Sequence, residues 1–296
     1  MSAVASPARP AAPSRSRKVL RLARRYKLES VGVVIVAVAL LLVILGPALA
    51  PHDPSATDFA KELQPPSLEH PFGTDTAGRD VFSRVLAGAR LTLLAVLIVI
   101  ASATLVGVVL GCAAAIGPRW MDTTLMRICD IGLSFPALIL ALGLAASMGR
   151  GLDAAVIALA ATWWPGYARL VRGLVADVAQ QEYVESARAL GVSRMRLVLR
   201  HVLPNSLDTL WVQTTFDVAA ITLVISGLSF IGVGAQIPDP EWGAMVADGR
   251  QVLTSAWWVV TFPGLAIAIT ALGFNLAGDL LRTELDPTVR ERRGVG

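Results

Sequence analysis

Six long apolar runs constrain this chain more than any other feature of its sequence. Each supplies most of the roughly 20 residues that a helix needs to cross a hydrocarbon layer about 30 Å thick. Backbone polar groups must be paired internally in lipid, which favours helices. The runs therefore predict an all-α membrane protein with six transmembrane helices, at residues 31–50, 91–117, 123–148, 154–171, 207–233 and 257–281.

Composition supports a membrane location. Of the 296 residues, 54% are hydrophobic and 16% are charged, whereas about 25% are charged in a typical soluble domain. The formal net charge is only +4, and the basic residues lie mostly outside the apolar runs. This pattern excludes a basic nucleic-acid-binding face, so the partners expected are lipid and other proteins.

The distribution of lysine and arginine predicts the orientation. Alternate connections, together with the two termini, hold 20 basic residues, and the opposite face holds 6. Because cytoplasmic loops carry the excess, both termini should face the cytoplasm. We expect a basic tail over residues 1–30, an extracytoplasmic segment over 51–90, a permease core over 91–283 and a second tail over 284–296. The first run ends in a small-x-small pattern that would also suit a signal peptide, but its length and Pro51 favour an uncleaved anchor.

Cysteines and histidines give no metal-site pattern. Cys112 and Cys129 lie inside apolar runs, which favours packing, and the three histidines are scattered along the sequence. No phosphate-binding glycine-rich loop with a lysine is present. We therefore predict no metal and no ATP bound by this chain.

Three charged residues inside the apolar runs are candidates for a translocation path. Arg127 and Asp130 are one helical turn apart, and they could form an ion pair on one helix face, make an interhelical contact, or line the path. Asp217 has no obvious partner within its own run, which favours a water-filled path or a subunit interface.

The connection over residues 173–206 is too long for a simple loop. Residues 180–190 favour a helix, Gly191 interrupts it, and a second helical stretch follows as far as Pro204. A surface helix of this kind can insert into a groove on a soluble partner or rest on lipid headgroups. The residues alone leave both interpretations open.

A short motif in this connection resembles the EAA loop of bacterial ABC importer permeases. That loop has the pattern E-A-A, three residues, G, nine residues, I-x-L-P. Serine replaces the second position here and histidine replaces the isoleucine. The matching positions are Glu185, Ser186, Ala187, Gly191, His201, Leu203 and Pro204.

Further motifs are similar to those of the C-type permeases of the dipeptide, oligopeptide and nickel importer family. They extend over most of the chain from Pro71 to Pro287. The motifs are Gly73-Thr74-Asp75 with Gly78-Arg79-Asp80-Val81, Gly227-Leu228-Ser229-Phe230-Ile231-Gly232-Val233-Gly234, Pro240-Glu241-Trp242-Gly243, and Phe274-Asn275-Leu276-Ala277-Gly278-Asp279.

The resemblance implies a type I ABC importer in the bacterial inner membrane. Such an importer pairs this chain with a second homologous permease, two ATPases that use ATP and Mg, and an extracytoplasmic substrate-binding protein. The EAA-like positions would form the coupling helix that meets the ATPases. The resemblance also suggests that five motif residues form the outer gate or dock the binding protein, although an ordered cap is an equally good interpretation: Asp75, Arg79, Asp80, Glu241 and Trp242.

The function expected from this resemblance is import of dipeptides or oligopeptides. Nickel chelates and other small solutes remain alternatives, and C-type peptide permeases often carry a glutamate where this chain has Ile225. An intramembrane enzyme would need a catalytic pair at matching depths, and the sequence offers no convincing pair. A secondary transporter would have no need of the long connection before the fifth span.

Overall fold

The computed structural model describes residues 27–182, 184, 191–193, 196, 198, 200 and 203–285. Eight α-helices run through these residues, and we number them in chain order. They are α1 (Lys27–Leu49), α2 (Val81–Ile116), α3 (Arg119–Leu133), α4 (Ala137–Met148), α5 (Leu152–Ala179), α6 (Leu203–Ile231), α7 (Trp242–Gly249) and α8 (Trp258–Leu285).

Most of the predicted spans correspond to single helices. Helices α1, α2, α8 and the part of α6 from Asp208 are long and apolar enough to cross a membrane. Helix α5 corresponds to the predicted fourth span and has 28 residues, about 42 Å at 1.5 Å per residue. Its second half carries Arg169, Arg172 and Asp177, so it meets the length requirement but is less apolar than the other four.

The predicted third span is wrong as a single continuous helix. Helices α3 and α4 meet at a bend of 89° and together count as one broken span or a re-entrant loop. The break falls at Pro136, which precedes the first residue of α4. A proline has no N–H to donate, and it disfavours helical geometry in the residue before it.

Helix α2 is the long central element. Its 36 residues span about 54 Å, well beyond the hydrocarbon thickness. It begins ten residues before the predicted span because the Asp80 side chain caps it, accepting a hydrogen bond from the Ser83 N–H at 2.8 Å. Gly107 allows α5 to approach closely, since a Cβ there would lie 2.3 Å from the Tyr167 Cβ.

Three apolar clusters hold the helices together. The main one joins α2, α4, α5, α6 and α8 around fully buried residues that include Val96, Leu159 and Ile221. A second joins α1, α2, α7 and α8, and a third joins α2, α5 and α6. Ile225 belongs to the main cluster and is 0% exposed. The position where the resemblance to C-type peptide permeases suggests a glutamate is thus occupied here by a core side chain.

Residues 51–80 connect α1 to α2 and form a compact segment that we call the cap. It contains a short 3-10 helix at Phe59–Lys61. The Trp258 indole N–H donates to the Thr74 carbonyl at 3.0 Å, and Phe72 stacks on Phe262 with ring centres 3.8 Å apart. These contacts fix the cap against the start of α8.

Candidate functional site

A cavity of about 310 Å³ lies where the α3–α4 bend meets α5 and α6. From α5 it receives residues that recur at helical spacing on one face, including Trp163, Gly166 and Tyr167. Helix α6 contributes Gln213 and Asp217, which lie one turn apart. The remaining lining residues are Leu133, Ala137, Thr162 and Leu170.

Among the described residues that line the cavity, Asp217 is the charged one. Its carboxylate accepts a hydrogen bond from the Gln213 amide at 3.1 Å, and its side chain is partly buried. Tyr167 is 2% exposed, and its side chain interacts with Asp217 and Thr104. The cavity therefore combines a carboxylate, an amide, a phenol and an indole, which suits a ligand that carries both hydrogen-bonding groups and a positive charge.

Arg127 and Asp130 do not pair with each other, whereas the interhelical contact predicted as an alternative is found for Asp130. Asp130 pairs instead with Arg169 on α5, and one turn further along α5, Arg172 pairs with Asp122 at 2.8 Å. Asp122 and Asp130 lie on the face of α3 that meets α5, and Arg127 is exposed. The two ion pairs thus join α3 to α5 beside the cavity. Of the three predicted path residues, Asp217 is the one found in the cavity lining.

The five residues expected at an outer gate or docking surface are all buried in the structure. Each is at most 3% exposed. Arg79 donates to Asp75 at 2.7 Å and to Asp248 of α7 at 2.8 Å. These side chains are buried, so they are not accessible to a docked protein. Docking of the binding protein therefore remains a prediction that concerns the exposed surface of the cap.

Glu241 and Trp242 connect α7 to α2. The Glu241 carboxylate caps α7 by accepting from the Ala244 N–H at 2.8 Å, and burial raises the pKa of this carboxyl. The Trp242 indole donates to the Val85 carbonyl at 2.9 Å. Together with Arg79 and Asp248, these contacts make the cap, α7 and the start of α2 one packed unit.

Most of the predicted coupling segment lies outside the described residues, including Glu185, Ser186, Ala187 and His201. Gly191 is described and has a φ of +82°, which a right-handed helix does not allow. This agrees with the predicted interruption at that position. Helix α6 begins at Leu203 and its Pro204 is exposed, while Val184 and Val198 pack in the cluster that joins α2, α5 and α6.

Two histidines that are far apart in sequence meet in the cap. The rings of His52 and His70 lie 4.9 Å apart, and both approach the Asp80 carboxylate. The expectation that the histidines are too scattered to form a cluster is wrong for this pair. Their separation in sequence matches no metal-binding spacing, so only the fold of the cap could bring them together.

Comparison with protein families agrees with the arrangement of the helices. Residues 107–291 match the family described as "Binding-protein-dependent transport system inner membrane component". Residues 14–66 match "N-terminal TM domain of oligopeptide transport permease C". Together the two matches extend over most of the chain.

Curated relatives are similar over nearly their full length. The "Probable D,D-dipeptide transport system permease protein DdpC" of Escherichia coli (strain K12) is 46% identical over 91% of each chain. The "Dipeptide transport system permease protein DppC" of Alkalihalophilus pseudofirmus is 40% identical over 93% of this chain and 90% of the relative. The "Glutathione transport system permease protein GsiD" of Escherichia coli O6:K15:H31 is 39% identical over 90% and 88%.

A solved structure shares the fold. A chain from inward-facing conformations of the MetNI methionine ABC transporter is 20% identical with a TM-score of 0.55, covering 68% of this chain and 96% of that chain. At this identity the likeness concerns the arrangement of helices alone.

Proposed function

The chain belongs to the family of binding-protein-dependent transport system inner membrane components, and on that premise we propose that it carries short peptides through the bacterial inner membrane. It is a permease subunit of an ABC importer and not an enzyme. The observation that carries the peptide assignment is the identity of 46% over 91% of both chains with a D,D-dipeptide permease.

The cavity supports the peptide assignment chemically. A short peptide carries an ammonium group, amide groups and variable side chains. The Asp217 carboxylate and the Gln213 amide complement the first two, and the Trp163 and Tyr167 rings provide apolar contact area. A path with few fixed charges also avoids a deep binding well that would slow release.

The proposed assembly follows from membership of this family. Membership implies ATPase subunits and an extracytoplasmic binding protein. We propose two ATPases, which bind ATP and Mg, and a second homologous permease that completes the pore. The segment from Glu185 to Pro204 would contact the ATPases, and closure of the ATPases would then move α5 and α6, which flank that segment and line the cavity.

The peptide assignment predicts a specific effect of Asp217→Asn. In proteoliposomes containing the whole importer, peptide-loaded binding protein should stimulate ATP hydrolysis, and this variant should lower peptide uptake roughly fivefold, the effect of losing about 1 kcal/mol of charge interaction. Assembly should be unchanged. Asp153→Asn is the matched control, because Asp153 is exposed at the start of α5 and outside the cavity lining.

Two results would contradict this proposal at different levels. Equal uptake by wild type and Asp217→Asn would remove that residue from the path while leaving the peptide assignment intact. Uptake of nickel complexes without any response to peptides would overturn the assignment itself.

We also propose that the cap faces outward and the Gly191 segment faces the cytoplasm. Single cysteines at Thr76 and Ser193, in a variant with Cys112 and Cys129 replaced, test this orientation. In intact cells a membrane-impermeant maleimide should label Thr76→Cys, and Ser193→Cys should react only after permeabilisation. Equal labelling of the two sites in intact cells would refute the orientation.

A further inference from the structure

The cluster of His52, His70 and Asp80 joins three parts of the cap. His52 lies three residues beyond the end of α1, and His70 lies within the cap. Asp80 is the N-terminal capping residue of helix α2. The His70 Nδ1 is 2.9 Å from Asp80 Oδ1, and the His52 Nδ1 is 3.7 Å from Asp80 Oδ2. One nitrogen or oxygen atom from each residue lies within 4.8 Å of the other two.

Ordinary structural roles account for only part of this cluster. The Asp80 Oδ2 accepts from the Ser83 N–H and hydroxyl, and the Oδ1 accepts from the His70 Nδ1–H. The His52 Nδ1 and the His70 Nε2 are buried and have no hydrogen-bond partner within the described residues. Leaving a buried polar atom unpaired costs about 1–3 kcal/mol. Hydrogen bonding within the cap therefore does not explain why these two imidazole nitrogens are buried.

The donor set is one that divalent transition metals prefer. Two imidazoles and one carboxylate match zinc sites that have three protein ligands. In a tetrahedral zinc site two ligand atoms about 2.1 Å from the ion lie roughly 3.4 Å apart. The His70 Nδ1 to Asp80 Oδ1 distance of 2.9 Å and the His52 Nδ1 to Asp80 Oδ2 distance of 3.7 Å differ from that separation by about half an ångström or less. The His52 side chain is 39% exposed, so it has room to turn its Nδ1 towards the same point.

A second carboxylate, that of Glu69, lies near the Nε2 atom of His70. Glu69 Oε1 lies 3.7 Å from the His70 Nε2 and is held by Lys61 at 2.6 Å. Lys61 keeps the pKa of the Glu69 carboxyl below its ordinary value. A metal-bound histidine commonly donates its other N–H to such a carboxylate, which fixes the ring and strengthens the ligand.

We propose that His52, His70 and Asp80 bind one divalent ion of the zinc class, which fastens the end of α1 to the start of α2. All three ligands lie in the cap, while the cavity at Asp217 is built from other elements. The ion is therefore a structural clamp and not the transported solute. Because it binds the folded cap, it stabilises that fold by mass action.

The test measures metal content in the complete importer purified without an oligohistidine tag. The complex is stripped with EDTA, incubated with Zn²⁺, dialysed and analysed by elemental mass spectrometry. Wild type should hold one zinc ion per permease more than His52→Gln or His70→Gln. His201→Gln is the matched control, since His201 is the remaining histidine of the chain, and it should keep the wild-type content.

Cobalt provides a readout of the ligand set itself. Co²⁺ in place of zinc should give visible absorption in wild type that His52→Gln lacks. His52→Gln is the decisive variant, because the part-exposed His52 side chain can be changed with little disturbance of the fold. Equal zinc content in wild type and both variants, or the same cobalt spectrum in wild type and His52→Gln, would overturn the proposal.

The result is independent of the peptide assignment. Metal content is measured without any peptide, and an importer lacking the ion could still transport. Zinc should also raise the thermal unfolding midpoint of wild type and leave that of His52→Gln unchanged. A zinc effect of equal size in both proteins would place the ion elsewhere in the complex and refute the assignment to these residues.

Discussion

Replacing Gly191 with valine should reduce ATP-driven uptake about tenfold or more. Gly191 has a φ of +82° and is exposed, and this conformation costs a β-branched residue about 1–3 kcal/mol. The segment can relieve that strain only by changing the path of its backbone between α5 and α6. If this segment transmits ATPase closure, the changed path will uncouple hydrolysis from transport.

Gly191→Asn is the matched control for this variant. Asparagine tolerates the left-handed region far better than valine. Both side chains add bulk at a position where a Cβ would meet no described residue within 4 Å. Uptake and peptide-stimulated ATP hydrolysis should therefore remain near wild type in Gly191→Asn and fall in Gly191→Val. Equal loss in both variants would point to side-chain bulk and contradict the backbone argument. Normal transport by Gly191→Val would remove this glycine from the coupling role.

The sequence predicts most spanning helices because the constraint on them is simple. A long apolar run without charges has few alternatives in lipid, so the helices observed as α1, α2, α6 and α8 follow from composition and length. The bend at Pro136 is different. Hydropathy averaged over the predicted third span is insensitive to one proline, although the local geometry of that proline ends α3.

Charge pairing between helices is harder to predict than charge within one helix. Helical periodicity places Arg127 beside Asp130, but it contains no information about the face that α5 presents. Once α3 packs on α5, Arg169 and Arg172 reach Asp130 and Asp122. Two acids on α3 and two bases on the neighbouring α5 are a weak signal for these pairs, because the acids are eight residues apart and the bases only three.

The cavity and the cap show which site residues can be predicted from the sequence and which require the structure. Asp217 was predicted as a path residue because a charge in an apolar run is costly, and the cavity adds its neighbours Trp163, Tyr167 and Gln213. The aromatic pair Trp163 and Tyr167, four residues apart on a spanning helix, is a weak signal that could have suggested two of them. For Asp75 and Arg79 the sequence leaves open an outer gate, a docking surface or an ordered cap, and only their burial distinguishes a cap from a docking surface.

Arg79→Met should destabilise the cap by about 3–5 kcal/mol, because removing one partner of a buried ion pair leaves a buried charge uncompensated. Arg79 is 3% exposed and connects Asp75 to Asp248 of α7. The variant leaves Asp248 without this partner, while Arg84 still lies 3.4 Å from Asp75. Thermal unfolding of the purified importer, followed by tryptophan fluorescence, should report the loss, since the Trp242 and Trp258 indoles both bond within this unit.

Two further variants separate charge from packing. Lys61→Met removes a cation from an exposed pair in the same cap and should lower the unfolding midpoint much less than Arg79→Met does, because solvent screens exposed ion pairs. Arg79→Met combined with Asp248→Leu removes the buried cation and its partly buried partner. It should recover part of the lost stability, because the unpaired carboxylate is then absent. If the double variant is as unstable as the sum of the single variants, packing around Arg79 and not its charge holds α7 to the cap. If Arg79→Met and Lys61→Met have equal effects, the buried network does not stabilise this end of the permease.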